Sequence, residues 1–213
     1  MTRGEIKTAI KNQVDDSTIS DSILNEWIQA ADDRVQIWRP PQDKDQTFDW
    51  WDYLKEEKTY ATQANINKYS LPDNFRAFLG KEPLKIEDDE DAYTLIDYQN
   101  RDRFSDHAIW ALGKFFYVKL APSVDGKTMT LAFVRFSDPF ATDNDEPEIE
   151  PPYHQAYVAF GKSRYYNQQG DTELENQNMV EFERVMTGKW RDQELAKVSS
   201  ANETASVPKQ FIV

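Results

Sequence analysis

Pro151-Pro152-Tyr153-His154-Gln155-Ala156-Tyr157 is the stretch on which the reading of the fold turns. Its two prolines pre-set the backbone for a helix start and cannot sit inside a helix. Beyond them, apolar residues recur at Tyr157, Phe160, Tyr165 and Tyr166, then at Leu174, Met179, Phe182 and Met186. That pattern predicts helices over about 152–168 and 172–191, joined by Gly170-Asp171. In front lies an acidic run from Asp138 to Glu150, with Asp138, Asp143, Asp145, Glu146, Glu148 and Glu150 and no Lys or Arg. A charged loop therefore feeds abruptly into a helical hairpin, and its carboxylates are expected to be solvated and unperturbed.

A second helical pair opens the chain. Thr2 is placed to cap a helix over about 2–14, with Glu5 three residues on as in a capping box. Ile6, Ala9, Ile10 and Val14 form its stripe. Asp15-Asp16-Ser17 reads as a turn. From Ser20 or Asp21, apolar residues at Ile23, Leu24, Trp27, Ile28, Ala31, Val35 and Trp38 follow a helical period until Pro40-Pro41 stops it. Residues 42–56 read as a polar loop carrying Phe48, Trp50, Trp51, Tyr53 and Leu54.

From Lys58 the period changes to two. Tyr60 to Asn65 and Lys68 to Pro72 read as a strand, a turn and a strand, with more strand material at Phe75 to Leu79 and Leu84 to Ile86. Leu95 to Phe104 reads as a helical turn. Ala108 to Leu112, Phe115 to Leu120 and Met129 to Phe136 are the strongest strand candidates, and Asp125-Gly126 is a hairpin signal between the last two. The fold class expected is α+β. The N-terminal helix pair and the C-terminal helical hairpin form a helical bundle, with a small antiparallel β-sheet or barrel inserted between them. Segment by segment, 1–41 holds the first helices and 42–137 the aromatic loop and β region. Residues 138–151 are the acidic loop, 152–196 the helices that pack on 1–41, and 197–213 a flexible tail.

Of the 213 residues 39% are hydrophobic and 13% aromatic, so large rings supply a core that the aliphatic residues alone would not. The net charge of −13 argues against a general affinity for nucleic acid or for anionic membranes. The absence of Cys excludes disulfides and thiolate metal sites. Met1 to Glu5 leads into no long apolar run, so neither a signal peptide nor a membrane span is expected.

Only two histidines exist, His107 and His154, without clustered partners, and both read as structural. No GxxxxGK[ST], GxGxxG or GxSxG occurs. Carboxylates are abundant but carry no acid/base spacing. Asp143-Asn144-Asp145 lacks the glycine of a calcium loop. No catalytic residue, cofactor or metal is expected. Arg101-Asp102-Arg103, the compact basic spot of the middle, reads as a source of salt bridges to acidic loops or to a neighbouring subunit.

Three ordered motifs carry a resemblance. Ser20-Asp21-Ser22-Ile23-Leu24-Asn25-Glu26-Trp27-Ile28 after a short first helix, Tyr69-Ser70-Leu71-Pro72-Asp73-Asn74-Phe75, and Pro152-Tyr153-His154-Gln155-Ala156-Tyr157-Val158 together resemble the phage head–tail connector (portal adaptor) proteins. The resemblance implies a structural virion protein that meets the host cytoplasm during assembly and forms an adaptor ring, dodecameric like the portal, between portal and tail. Its partners would be the portal protein, a tail or nozzle protein and copies of itself. DNA would pass through without specific binding, and no membrane is involved. The candidate partner-binding residues are Phe211, Ile212 and Val213, an apolar tip on a polar tail, and Trp50 and Trp51. Adjacent tryptophans cannot both face one core, so one is expected to cover an interface. The alternatives are another tail-completion or baseplate component, and a carbohydrate-binding or hydrolytic protein built on the rings of Phe48, Trp50, Trp51 and Tyr53.

Overall fold

Thr2 starts the first helix as its sequence predicts. In the computed structural model, α1 (Arg3–Val14) carries a complete capping box: the Thr2 hydroxyl accepts from the Glu5 amide, and the Glu5 carboxylate accepts from the Thr2 amide at 2.9 Å. The structure describes residues 1–40, 50–89, 91–104, 106–119, 122–123 and 125–205; for 198–205 only the helical backbone is described. Of the loop expected over 42–56, residues 42–49 with Phe48 lie outside these residues, as does the apolar tip Phe211, Ile212 and Val213; Lys55 and Glu56 belong to a strand instead.

The chain divides into two units, Met1–Tyr53 together with the chain from Asp138 onward, and Leu54–Ser137. The first is helical. The Ser20 hydroxyl caps α2 (Asp21–Ile37), whose Leu24, Trp27, Ile28, Ala31 and Val35 are buried as the period requires. After a short 3₁₀ turn at Pro151–Tyr153 comes α3 (Gln155–Gln169), closed by Gly170 in the left-handed conformation at φ 75°. Then comes α4 (Thr172–Ala205). Helix α3 is the centre of this unit and touches α1, α2 and α4. Ala156, Tyr157, Val158, Ala159, Phe160, Gly161 and Ser163 are therefore buried on nearly every side, and no single stripe stands out. Gly161 is the point of closest approach: a Cβ there would lie 2.4 Å from Cδ1 of Ile10 on α1.

Helix α4 buries Asn178, Phe182, Met186, Lys189 and Gln193, a seam at steps of three and four. It runs well past the 191 at which the apolar period fades, through a stretch expected to belong partly to a tail. Apolar periodicity reports burial, whereas Glu194, Leu195, Ala196, Lys197 and Ala201 continue a helix by propensity.

The second unit holds β1 (Lys55–Ala61), β2 (Lys68–Ser70), β3 (Phe75–Phe78), β4 (Leu84–Ile86), β5 (Thr94–Leu95), β6 (Ala108–Leu112), β7 (Phe115–Val118) and β8 (Thr128–Arg135), with a 3₁₀ turn at Tyr98–Arg103. Among the described residues there are two sheets instead of one, each of four strands. In one, β8 pairs with β1 along one edge and with β3 and β4 along the other; the second runs β2-β7-β6-β5. All pairs are antiparallel except β5 with β6.

Two local expectations are corrected. The strands before and after residues 62–67 do not pair with each other, because β1 joins β8 and β2 joins β7. Asp125-Gly126 is a turn, but it links strands of different sheets: Gly126 donates to the Thr62 carbonyl and the Asp125 carboxylate accepts from the Ala64 amide. The tight hairpin is β6–β7, where Leu112 faces Phe115 across Gly113-Lys114 and Gly113 supplies φ 63°. The two sheets share one core. In it Tyr69 stacks on Phe116 at 5.4 Å, beside Ile86, Ile109, Met129 and Leu131.

Charge is unevenly divided. The helical unit's sequence carries 13 basic and 25 acidic residues, whereas the β unit carries 12 and 13. Nearly all of the net charge of −13 therefore belongs to the helical unit, about half of it to the acidic run from Asp138 to Glu150.

Candidate functional site

The two tryptophans proposed for partner binding part ways. Trp51 is fully buried; its Nε1 donates to the Val35 carbonyl at 2.9 Å and its ring stacks on Trp38 at 6.0 Å. Trp38 in turn donates from Nε1 to the Glu183 carboxylate on α4 at 2.6 Å. The pair thus ties the end of α2 to α4. Gln193 grips the backbone on both sides of Trp51, donating to the Trp50 carbonyl and accepting from the Asp52 amide, each at 3.3 Å. So held, the Trp50 ring stays half-exposed with the Arg39 guanidinium 4.4 Å above its centre. A platform made of both rings is not present, and stacking of a sugar across them is not supported by their placement.

The acidic run is built into the fold while most of its carboxylates, among them Asp138, Asp143, Glu146 and Glu150, stay exposed as expected; what differs from the expectation is that Asp143 and Asp145 are perturbed. Its backbone carbonyls serve the free amides at the start of α1: Arg3 N donates to Asp145 O at 2.7 Å and Gly4 N to Asp143 O at 2.9 Å. The Asp143 carboxylate receives Lys7 at 2.7 Å and Arg3 at 2.9 Å. The Lys7 hydrogen bond, with Arg3 behind it, holds Asp143 below the usual carboxylate range. Asp145 is also held low, through its hydrogen bonds from Thr142 and Ala141. Glu150 pairs with Lys189, and Tyr153 donates to Asp192, both on α4. The signal in the sequence was the i, i+4 pair Arg3 and Lys7 on a helix whose own first turn offers only Glu5.

Deeper in the helical unit, the Tyr157 hydroxyl donates to Asp32 Oδ1 at 2.6 Å, and Gln36 donates to Oδ2 at 2.9 Å, all three side chains buried. Burial and the Asp32 charge push the Tyr157 phenol well above its ordinary pKa. His154 lies 2.7 Å from the Ile149 carbonyl through Nε2, and burial lowers its pKa. Its role is structural, as is that of the α2–α3 link.

The β unit has a hollow of about 360 Å³ lined by Glu87, Asp88, Asp89, Asp106, Lys119 and Lys127 beside Tyr93 and His107. His107 has φ 44°, its Nε2 is 3.1 Å from Asp89 and its Nδ1 3.5 Å from Asp106. The Asp89 hydrogen bond raises its pKa. An imidazole with both nitrogens turned to carboxylates is stabilised as a cation and is not poised to take a proton from a nucleophile. Arg101 satisfies itself locally, 3.7 Å from Asp102 and 4.1 Å over the Tyr98 ring, instead of reaching the acidic loops.

Among the described residues no helix is long and apolar enough to cross a membrane. One family profile, described as SU10 adaptor protein, matches residues 1–205. No match is found among curated proteins. The chain belongs to the SU10 adaptor protein family and is a phage structural adaptor, a protein of the virion.

Proposed function

We propose that this adaptor forms a ring between the portal and the tail, through which the genome passes. The observation that carries the reading is the match of the adaptor family along residues 1–205, with both units included. Three features support it. The architecture is a scaffold whose polar groups are spent on holding helices and loops together. The excess of acidic residues is concentrated in the helical unit, and an acidic surface beside DNA repels phosphate and leaves no bound states to slow its passage. Helix α4 is 34 residues against the 15 of α3 beside which it lies, so by a rise of about 1.5 Å per residue it continues far beyond that partner.

In this reading the end of α4 and the apolar tip Phe211, Ile212 and Val213 dock on the portal, and Trp50 adds a ring at a protein interface. Each subunit pays an ordering cost on docking that multivalency in a closed ring offsets. The same chemistry would serve at another tail junction, and the partner decides between the two. Deleting residues 199–213 is the test. The shortened chain should keep its cooperative melting transition, losing only the helical signal of residues 199–205, and lose binding to portal rings from the same genome. Undiminished binding would remove the tail anchor.

A further inference from the structure

We propose that His107 is a proton-operated clamp in the β unit: as a cation it holds the β5 edge of the second sheet in place, and when it loses its proton that edge comes loose. The argument starts from geometry. His107 stands directly before β6, and its two ring nitrogens face two carboxylates on opposite sides, Nε2 3.1 Å from Asp89 and Nδ1 3.5 Å from Asp106. Only the imidazolium donates from both nitrogens. A neutral ring has one N–H, so its other nitrogen turns a lone pair toward a carboxylate, and one of the two bridges is lost. Asp89 lies three residues past Ile86, the end of β4, whose carbonyl accepts the Asp89 amide at 3.1 Å. The clamp therefore joins the turn after β4 to the start of β6.

The element that the clamp holds is short. Strand β5 is two residues long and lies at the end of its sheet, paired with β6. Thr94 donates from its amide to the His107 carbonyl at 2.8 Å, and Ile96 to the Ile109 carbonyl at 2.9 Å. The first of these bonds depends on a backbone at φ 44°, a left-handed conformation that a histidine keeps only while its surroundings hold it. Loss of either bridge lets that backbone relax and carries the carbonyl away from Thr94. Tyr93 ties the same parts together, with its ring centre 5.1 Å from the imidazole and its hydroxyl donating to Asp89 at 3.3 Å. The remaining charges around the hollow are Glu87, Asp88, Lys119 and Lys127. Glu87 accepts from the Thr128 amide at 3.0 Å, Lys127 lies 3.7 Å from Asp88, and Lys119 donates to the Arg101 carbonyl at 3.2 Å. Both lysines are thus directed to other acceptors, and four carboxylates around the ring favour its charged form. The Asp89 hydrogen bond raises the His107 pKa, so the clamp's contribution is fully present below the unfolded value of about 6.5 and is lost as pH rises through the folded one.

Histidine-selective NMR of the full chain, titrated from pH 5 to 9, reads the charge directly, because the chain has two histidines and His107→Asn tells them apart. Hydrogen exchange followed by mass spectrometry, corrected for the pH dependence of the exchange chemistry, reads the edge through the amides of 93–96. The His107 pKa should lie above the ordinary value of about 6.5 and fall in Asp89→Asn. Protection of 93–96 should drop as pH passes the folded pKa, about tenfold for each unit by which it exceeds the unfolded one, while 129–134 on β8 stays unchanged. Asparagine accepts the left-handed backbone without the charge, so in His107→Asn the protection of 93–96 should no longer respond to pH. A His107 pKa at or below about 6.5 would overturn the inference. So would wild-type protection of 93–96 that does not follow the titration, or a drop that persists in His107→Asn. Both wild-type measurements decide the matter without the variants, and neither depends on assembly of the chain.

Discussion

Gly161 and Gly188 make the same substitution report opposite signs. Both lie in helices of the helical unit, α3 and α4, and in each an alanine removes the backbone freedom that glycine loses on folding. That gain is roughly 0.5–1 kcal/mol. At Gly188 nothing stands within 4 Å of a new Cβ, so the gain is kept. At Gly161 the Cβ would lie 2.4 Å from Ile10 Cδ1 and 3.1 Å from Cγ1, and Ile10 is fully buried. Forcing a methyl into a filled core costs roughly 1–3 kcal/mol, which outweighs the gain and leaves a net loss of about 1 kcal/mol. For a chain of this size that is a fall in Tm of about 2–4 °C for Gly161→Ala against a rise of similar or smaller size for Gly188→Ala. Melting followed by circular dichroism at 222 nm reads both. Ile10→Val removes the methyl that clashes. Alone it costs about 1 kcal/mol, and in the Gly161→Ala background it should cost little or nothing. If Gly161→Ala stabilises as much as Gly188→Ala, the close approach of α1 and α3 is wrong.

The other predictions concern charge, a buried bond and the tryptophans. Asp143 is held below its ordinary pKa, so its contribution is fully present above the unfolded value of about 3.9 and is lost as pH falls through the folded one. Melting curves of Asp143→Asn should therefore change less between pH 6 and 3 than those of wild type, and parallel curves would refute the clamp. Tyr157→Phe leaves a buried Asp32 oxygen without its donor and should cost about 1–3 kcal/mol in urea unfolding; an unchanged midpoint would mean the bond contributes nothing. Trp51→Ala should cost about 3–5 kcal/mol by emptying a core site. Trp50→Ala should cost under about 1 kcal/mol, the scale of an exposed cation–π contact, yet weaken binding to the virion partner. Equal losses of stability would erase the distinction between the two rings.

Which parts of this protein are legible in its sequence follows from the range of the forces involved. Both N-terminal caps were readable because Thr2, Glu5 and Ser20 act within four residues. The hairpin of α3 and α4 was readable from Pro151-Pro152 and Gly170. Most strand positions came through as well, although β1 falls at Lys55–Ala61 and not at the expected 60–65, but their partners did not: β1 and β2 satisfy long-range ladders to β8 and β7, and nothing local in 62–67 tells a hairpin from a crossing between sheets. The clamp on Asp143 was not legible in the acidic run because its cations, Arg3 and Lys7, sit about 140 residues away. Trp50 and Trp51 could be separated only in three dimensions, since either ring could have taken the core.

The central claim is assembly on a portal. Native mass spectrometry of the purified chain, alone and mixed with portal rings from the same genome, tests it most directly. The account predicts a complex in which a closed ring of copies is added to each portal ring, with no partly filled species dominant. A chain that leaves the portal mass unchanged, while binding tail protein or nothing at all, would contradict it.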